Sequence, residues 1–337
     1  MSVRQIALLL NISPAAVSLA LRDSPKISET TRRKVQRVAK RLGYRPSAKV
    51  AELMAHVRAN REGRYEGTFG VVSLHNHPRP WEDSEHLARI YAGMQQRAQD
   101  LGYRLEPFWL REPGMSFRRF RTIIETRNIQ GLLCLGSQVL DDTFSADLGK
   151  HAVVTVGLSI QTPLHRVTSH FYNDTTFVLN KVHALGYRRP GLIIGRGAEV
   201  RTAYALGAYF GWYEHKLPDA SPVPVLRLDW KNPESFPDWY QIHRPDAIIV
   251  VLLSNAVPEL AELLKRNGIS VPGQLGVAVM THFLEDSGFS GLQQNQALVG
   301  AWSVELLISR ISNSDFGIPK HPRIEMVNGS WVDGKSL

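Results

Sequence analysis

The chain holds 337 residues, 43% of them hydrophobic, with one cysteine and a formal net charge of +9. That length supports a sizeable core and, on size alone, two or three domains. The single Cys134 excludes an internal disulfide framework, and the longest apolar stretch, residues 247–253, is far short of the roughly 20 residues that a membrane helix needs.

The excess charge is confined to one end. Residues 1–66 carry 14 Lys and Arg against 5 Asp and Glu, and the rest of the chain balances to zero. A basic module joined to a neutral one points to an anionic polymer as the partner of the first alone. Residues 1–10 hold one basic residue and no cleavage-like site, so a cytoplasmic protein without a signal peptide is expected.

The first elements are short helices. Ser2-Val3-Arg4-Gln5 has the form of a capping box, and Ile6, Leu9 and Leu10 follow as an apolar face. Asn11-Ile12 interrupts it. Ser13-Pro14 then starts a second helix, with Ser as cap and Pro at the first helical position, and Val17, Ala20 and Leu21 recur at helical spacing. Two short helices joined by a tight turn form a helix-turn-helix, whose second helix fits the major groove. A third helix is predicted from about Ser28 to Leu42, buried through Val35, Val38, Ala39 and Leu42 and closed by Gly43.

Four blocks carry a more specific signal: Val3-Arg4-Gln5-Ile6-Ala7, Ile12-Ser13-Pro14-Ala15-Ala16-Val17-Ser18, Ile27-Ser28-Glu29-Thr30-Thr31-Arg32 and Leu42-Gly43-Tyr44-Arg45-Pro46. In order and spacing they resemble the headpiece of the lactose-repressor (LacI/GalR) family. The resemblance implies a repressor that binds a double-stranded DNA operator as a homodimer. It implies DNA contacts from Ser13, Pro14, Ala15, Ala16, Ser18, Leu19, Arg22, Lys26, Ser28, Tyr44, Ser47 and Lys49. It also implies a hinge helix whose Leu53, nine residues past Tyr44, wedges into the minor groove. Such wedges unstack a base step and kink the duplex. Pro14, Ala15 and Leu19 stand where relatives place more polar or basic residues, and Arg to guanine is the commonest specific contact. Apolar contact with thymine methyls is therefore one expected mode of readout.

Beyond residue 67, apolar runs at 69–74, 131–135, 152–157, 191–195, 246–253 and 276–280 alternate with helical periodicity, as in Phe117, Phe120, Ile123 and Ile124, or Val257, Leu260, Leu263 and Leu264. This alternation predicts α/β architecture, two doubly wound parallel sheets covered by helices, with ligand bound at the carboxyl ends of the strands. The run Gly131-Leu132-Leu133-Cys134-Leu135 makes Cys134 a buried, inert thiol. The family resemblance continues through Leu185-Gly186-Tyr187-Arg188-Arg189-Pro190, residues 267–277, and Gln294 with Gly300. It implies a periplasmic-binding-protein-like sensor that binds a small-molecule effector, a sugar or sugar derivative, between two subdomains. The expected organisation is residues 1–46 for the helix-turn-helix, 47–66 for the hinge helix and linker, and 67–337 for effector binding and dimerisation.

The expected effector residues are Trp81, Arg201, Tyr204, Asn255, Thr281 and His282; the family's effector-holding Arg corresponds to either Arg201 or Tyr204. Thr281-His282 replaces a family Asp, and a carboxylate is the stronger acceptor for a sugar hydroxyl. Catalysis is not expected: there is no Gly-x-Ser-x-Gly elbow or P-loop, and Gly195-Arg196-Gly197 lacks the third glycine of a dinucleotide fingerprint. His75-Asn76-His77 reads as loop polarity rather than a metal site, and no cofactor is expected. A solute-binding protein for transport would suit the sensor alone, but not a basic headpiece.

Overall fold

The computed structural model describes residues 3–21, 27–42, 67–137, 139, 142–144, 148–195, 199–252, 256–281, 284 and 287–337, and for residues 3–5, 14, 15, 18 and 199–202 the backbone alone. Three helices form the amino-terminal unit: α1 (Val3–Leu10), α2 (Pro14–Leu21) and α3 (Glu29–Arg41). Ser13 Oγ accepts from Ala16 N at 3.1 Å, and Ser28 Oγ from Thr31 N at 3.3 Å, so each hydroxyl satisfies a donor left open by the first turn. Glu29 in the first turn of α3 and Lys40 and Arg41 in its last suit the helix dipole. The core is small: Ile6, Ala7, Val17, Ala20, Val35 and Ala39, flanked by Leu10, Ile12, Leu21, Ile27, Val38 and Leu42.

Leu9 departs from expectation. It is 64% exposed, and Leu8 more so. The buried stripe of α1 runs through Ile6, Ala7 and Leu10, and at 100° per residue Leu9 lies about 100° from the centre of that stripe.

The rest of the chain builds two six-stranded sheets. The first has the order β11-β5-β4-β3-β1-β2, all neighbours parallel, from β1 (Gly67–Ser73), β2 (Tyr103–Trp109), β3 (Gly131–Cys134), β4 (Ala152–Val156), β5 (His165–Ser169) and β11 (Ile324–Val327). Strand β1 lies between β3 and β2, which is the switch point of a doubly wound sheet. Val71, Leu133, Val154 and Val167 face α4 (Glu85–Asp100) and α10 (Gln296–Ser312). Val72, Leu132, Cys134 and Val153 pack on the other side with Phe120 and Ile124 of α5 (Phe117–Thr126). Helices α4 and α10 cross closely: a Cβ on Gly93 would sit 1.9 Å from Ala297 O, and one on Gly300 would sit 2.0 Å from Ile90 O.

The second sheet has the order β12-β10-β9-β8-β6-β7, built from β6 (Pro190–Gly195), β7 (Leu226–Leu228), β8 (Ala247–Val251), β9 (Gly276–Thr281), β10 (Ser290–Gln293) and β12 (Ser330–Val332). Only the β10–β12 pair is antiparallel. The helices on this sheet are α6 (Phe171–Ala184), α7 (Glu199–Lys216), α8 (Ser235–His243) and α9 (Val257–Arg266). Strands β8 and β9 are buried at every position, as parallel strands covered on both faces must be.

The apolar runs read from the sequence became β1, β3, β4, β6, β8 and β9. Strands β2, β5, β7, β10, β11 and β12 were not anticipated. β2, β7 and β11 carry Arg104, Glu106, Arg227 and Glu325, and β2, β7 and β12 end their sheets, where burial on both faces is not required. No helix among the described residues is long and apolar enough to cross a membrane.

Candidate functional site

Helix α2 presents two faces. Val17 and Ala20 turn into the headpiece core, whereas Ala16 and Leu19 lie off that face, half-buried, and Ser13 is exposed. On α3, Arg33, Lys34, Arg37, Lys40 and Arg41 are all exposed, with Arg33 paired to Glu29 one turn back. Ser28 is exposed at the α3 cap. The side chains of Pro14, Ala15 and Ser18, and Arg22, Lys26, Tyr44, Ser47, Lys49 and Leu53 altogether, lie outside the described residues.

The second site is a cleft of about 250 Å³ at the carboxyl ends of β1, β3, β4 and β5. Its walls carry His75 and His77 beyond β1, Leu135 and Ser137 beyond β3, Gly157, Leu158 and Ser159 beyond β4, and Thr168 and Ser169 at the end of β5, with Phe171, Gln294 and Gln296 closing it. The loops are braced. Trp109 Nε1 donates to His75 O at 2.9 Å, and Arg111 spans from Asn76 Oδ1 (3.1 Å) to Asp142 Oδ2 (2.8 Å). Asp142 Oδ2 also accepts from Ser137 Oγ at 2.5 Å, and Ser137 N donates to Ser159 Oγ at 2.9 Å. Arg166, its pKa lowered by burial, donates to the carbonyls of Gly157, Ile160 and Thr162 and so fixes the loop after β4. His77 Nδ1 lies 3.2 Å from Asp83 Oδ2 at the rim.

A second chamber of about 280 Å³ shares Leu158, Thr168, Ser169 and Phe171 with the first and adds His170, Tyr172, Tyr204 and Met326. Tyr204, on α7, comes from the second sheet's layer and Met326, on β11, from the first.

The chain passes between the two sheets three times: at Ser169–Phe171, at Gln293–Gln296 and at Val327–Ser330. Polar side chains tie these passages together. Asn295 Nδ2 donates to Asn328 O at 2.7 Å, Asn173 Nδ2 to Asn328 Oδ1 at 3.2 Å, and Gln296 Nε2 to Ser169 Oγ at 3.4 Å. Gly329 N donates to Asp174 Oδ1 at 3.0 Å, and burial pushes the Asp174 carboxyl up to about 6.

Of the effector residues expected from sequence, Tyr204 lines the second chamber. Trp81 is turned to another use: its ring stacks on Tyr91 of α4 at 4.1 Å and 5°, against the first sheet's core, and it is not among the cleft's lining residues. A flat apolar ring gains more from that partner than from an open cleft. Thr281 is buried at the end of β9, where its carbonyl accepts from Gln294 N at 2.9 Å. Asn255, His282 and the side chain of Arg201 lie outside the described residues. Sequence reasoning did not single out Ser137, Ser159, Thr168, Ser169, Gln294 and Gln296 as lining residues. The available signal was position: most of them stand at or just past the end of a strand, where a doubly wound sheet binds its ligands. Cys134 is buried, with its thiol pushed up to about 11. No group of three or more His, Cys, Asp or Glu suited to a metal occurs among the described residues.

Comparison with known proteins finds matches for two parts of the chain. Residues 2–47 match the family described as bacterial regulatory proteins, lacI family, and residues 179–337 match the periplasmic binding protein-like domain. The HTH-type transcriptional repressor CytR of Escherichia coli (strain K12) is 23% identical over 326 residues, covering 94% of this chain and 91% of that protein. Among solved structures, the transcriptional regulator CelR–cellobiose complex is similar with a TM-score of 0.58 at 18% identity, covering 100% of both chains. The lac repressor dimer bound to operator and the anti-inducer ONPF gives 0.56 at 18% identity, covering 100% of this chain and 98% of that one. The chain thus joins an amino-terminal three-helix segment that matches the lacI family of bacterial regulatory proteins to two parallel sheets whose later part matches the periplasmic binding protein-like domain.

Proposed function

We propose that the protein is a transcriptional repressor that binds a near-palindromic operator as a homodimer and releases or tightens that grip when a small molecule enters the cleft between its sheets. The observation that carries this reading is the joining of two unlike modules. The headpiece and linker hold the whole positive excess, and the charge-balanced remainder holds a braced polar cleft beside a three-strand hinge. The headpiece neutralises phosphates and α2 enters the major groove, with Ser13, Ala16 and Leu19 towards the bases and Ser28 at the backbone. Pro14, Ala15, Ser18, Arg22, Lys26, Tyr44, Ser47 and Lys49 complete the proposed contacts, and Leu53 is the proposed wedge. In the sensor, Tyr204, Arg201, Asn255, Thr281 and His282 remain the proposed effector residues on the second sheet's side. The relatives support the reading: one is named a transcriptional repressor, one solved structure is a complex with cellobiose, and another is a dimer on its operator.

The test is operator selection from genomic fragments with the full chain, followed by binding at several salt concentrations. Affinity should fall steeply with salt, because each neutralised phosphate releases counterions. Residues 67–337 alone should form the dimer in sedimentation and leave DNA unbound. Equal DNA affinity of that fragment and the full chain would overturn the proposal.

A further inference from the structure

We infer that Asp174 makes the seam between the two sheets a proton-sensitive hinge: the protonated acid holds the passages together as described above, and the ionised carboxylate drives them apart, whatever fills the cleft. The seam is polar. Each buried apolar cluster of the two layers belongs to one sheet, so apolar burial does not weld the halves together. Interfaces of that kind leave relative motion as the expected behaviour. What joins the halves is the set of hydrogen bonds among the three passages, and among the described residues Asp174 is the carboxyl in that set.

Asp174 stands in the first turn of α6, just past the Ser169–Phe171 passage, and its Oδ1 accepts from Gly329 N in the Val327–Ser330 passage. It therefore ties two of the crossings to each other. The residue is 1% exposed, and Oδ2 has no hydrogen-bond partner. An ionised carboxyl offers about four acceptor sites, and here one donor serves them. Burying a charge so poorly met is costly, whereas the neutral acid is tolerated.

The surrounding elements supply no countercharge. Burial acts most strongly on the carboxyl, and the Gly329 N–H offsets part of it. On α6 itself, His170 Nδ1 is taken by Asn173 N, Lys181 lies over the rings of Phe177 and Trp331, and His183 packs on Trp212 of α7. Beyond β12, Asp333 is held by Trp331 Nε1. Tyr204 of α7 faces the second chamber, with His170. The passages opposite present the neutral Gln294, Asn295, Gln296 and Asn328, and β9 presents Met280 to Thr175. Parting the passages lets water reach Oδ2, so the parted state binds the proton less tightly. A proton, like any ligand, draws the equilibrium towards the state that holds it more tightly. The carboxyl is raised from 3.8 to about 6 in the closed seam, so opening is suppressed at low pH and released as pH rises through 6. Between pH 5 and pH 8 the opening constant should grow about tenfold.

The experiment is native-state amide hydrogen exchange of the full chain at pH 5, 6.5 and 8, read by mass spectrometry with each rate divided by the intrinsic rate at that pH. Peptides spanning residues 169–174, 293–297 and 327–330 should lose about tenfold protection between pH 5 and pH 8, while peptides of α5 keep theirs. Asp174→Asn and Asp174→Ala carry no titrating group, and in both the crossing peptides should show no pH dependence. A flat profile at the crossings of the parent overturns the inference. A crossing response that persists in either folded variant overturns the role of Asp174. A response confined to the slowest amides, which exchange only by global unfolding, overturns the hinge and leaves Asp174 a matter of stability alone.

Discussion

Replacing Asp174 by Asn tests the polar seam between the sheets. Asp174 is 1% exposed; one carboxyl oxygen accepts from Gly329 N, and Oδ2 has no hydrogen-bond partner. Burial raises its pKa from 3.8 to about 6, and the Gly329 N–H offsets only part of that. Two units correspond to about 3 kcal/mol at 1.36 kcal/mol per unit. Because the folded pKa lies above the unfolded one, the folded state holds the proton more tightly. Below about pH 3 the group is neutral in both states and adds no penalty. As pH rises from 4 to 6 the unfolded chain ionises first, and above 6 the buried carboxylate costs about 3 kcal/mol of stability. Asn mimics the protonated acid: it keeps an oxygen for Gly329 N and places an amide where the acid's O–H stood. In urea unfolding followed by tryptophan fluorescence, Asp174→Asn should be more stable by about 2–3 kcal/mol at pH 7.5, by about 1 kcal/mol at pH 4.5, and nearly equal to the parent at pH 3.5. An offset independent of pH, or a less stable variant at pH 7.5, would refute the assignment of a buried, charged Asp174.

Gly300→Ala should destabilise by about 1–3 kcal/mol, because the added methyl meets the α4 backbone rather than a movable side chain; an unchanged urea midpoint would contradict the crossing geometry. Cys134, buried with its thiol pushed up to about 11, should resist a disulfide-exchange reagent at pH 8 in the native protein and react once unfolded. Leu53→Ala should reduce operator bending and lower specific affinity while salt-driven non-specific binding persists, since no charge is lost; gel mobility of operators altered only at the central step checks it, and unchanged bending would make Leu53 a packing residue.

What could be read without coordinates follows from burial. Runs such as Ala247-Ile248-Ile249-Val250-Val251 are apolar throughout because both faces of the strand are covered, and that leaves a plain signature in sequence. The headpiece was legible for the related reason that Ser13 and Ser28 announce helix starts and Val35 and Ala39 fall at one helical face. Strands β2 and β7 lie at sheet ends and mix charge with apolar residues, so no periodicity marks them. The cleft was the least legible part. Ser137 and Ser159 meet only because β3 and β4 are neighbours in register, and no local pattern states which strands adjoin. Trp81 shows the same limit, since its partner Tyr91 is set by how the following helix lies on the sheet. Leu9 was misplaced because the buried stripe of α1 is turned towards the small Ala7, on the other side of Ile6 and Leu10 from Leu9.

The interlock of α4 with α10 bears on how the chain is made. Ile90 and Met94 of α4 belong to the same core as Val304 and Leu307 of α10, yet some two hundred residues, including most of the second sheet, separate them in synthesis. A nascent chain emerging from the ribosome therefore carries β1 to β5 with the part of one face that α4 leaves free still uncovered until residues 296–312 follow. During that interval, tens of seconds at ordinary elongation rates of roughly 5–20 residues per second, an apolar sheet face and the backbone notch at Gly93 are open to chaperones or to the same segment of a neighbouring polysome. The second layer, whose helices mostly lie between its own strands in the chain, gains its helical cover as it is made and waits only for its edge strand β12.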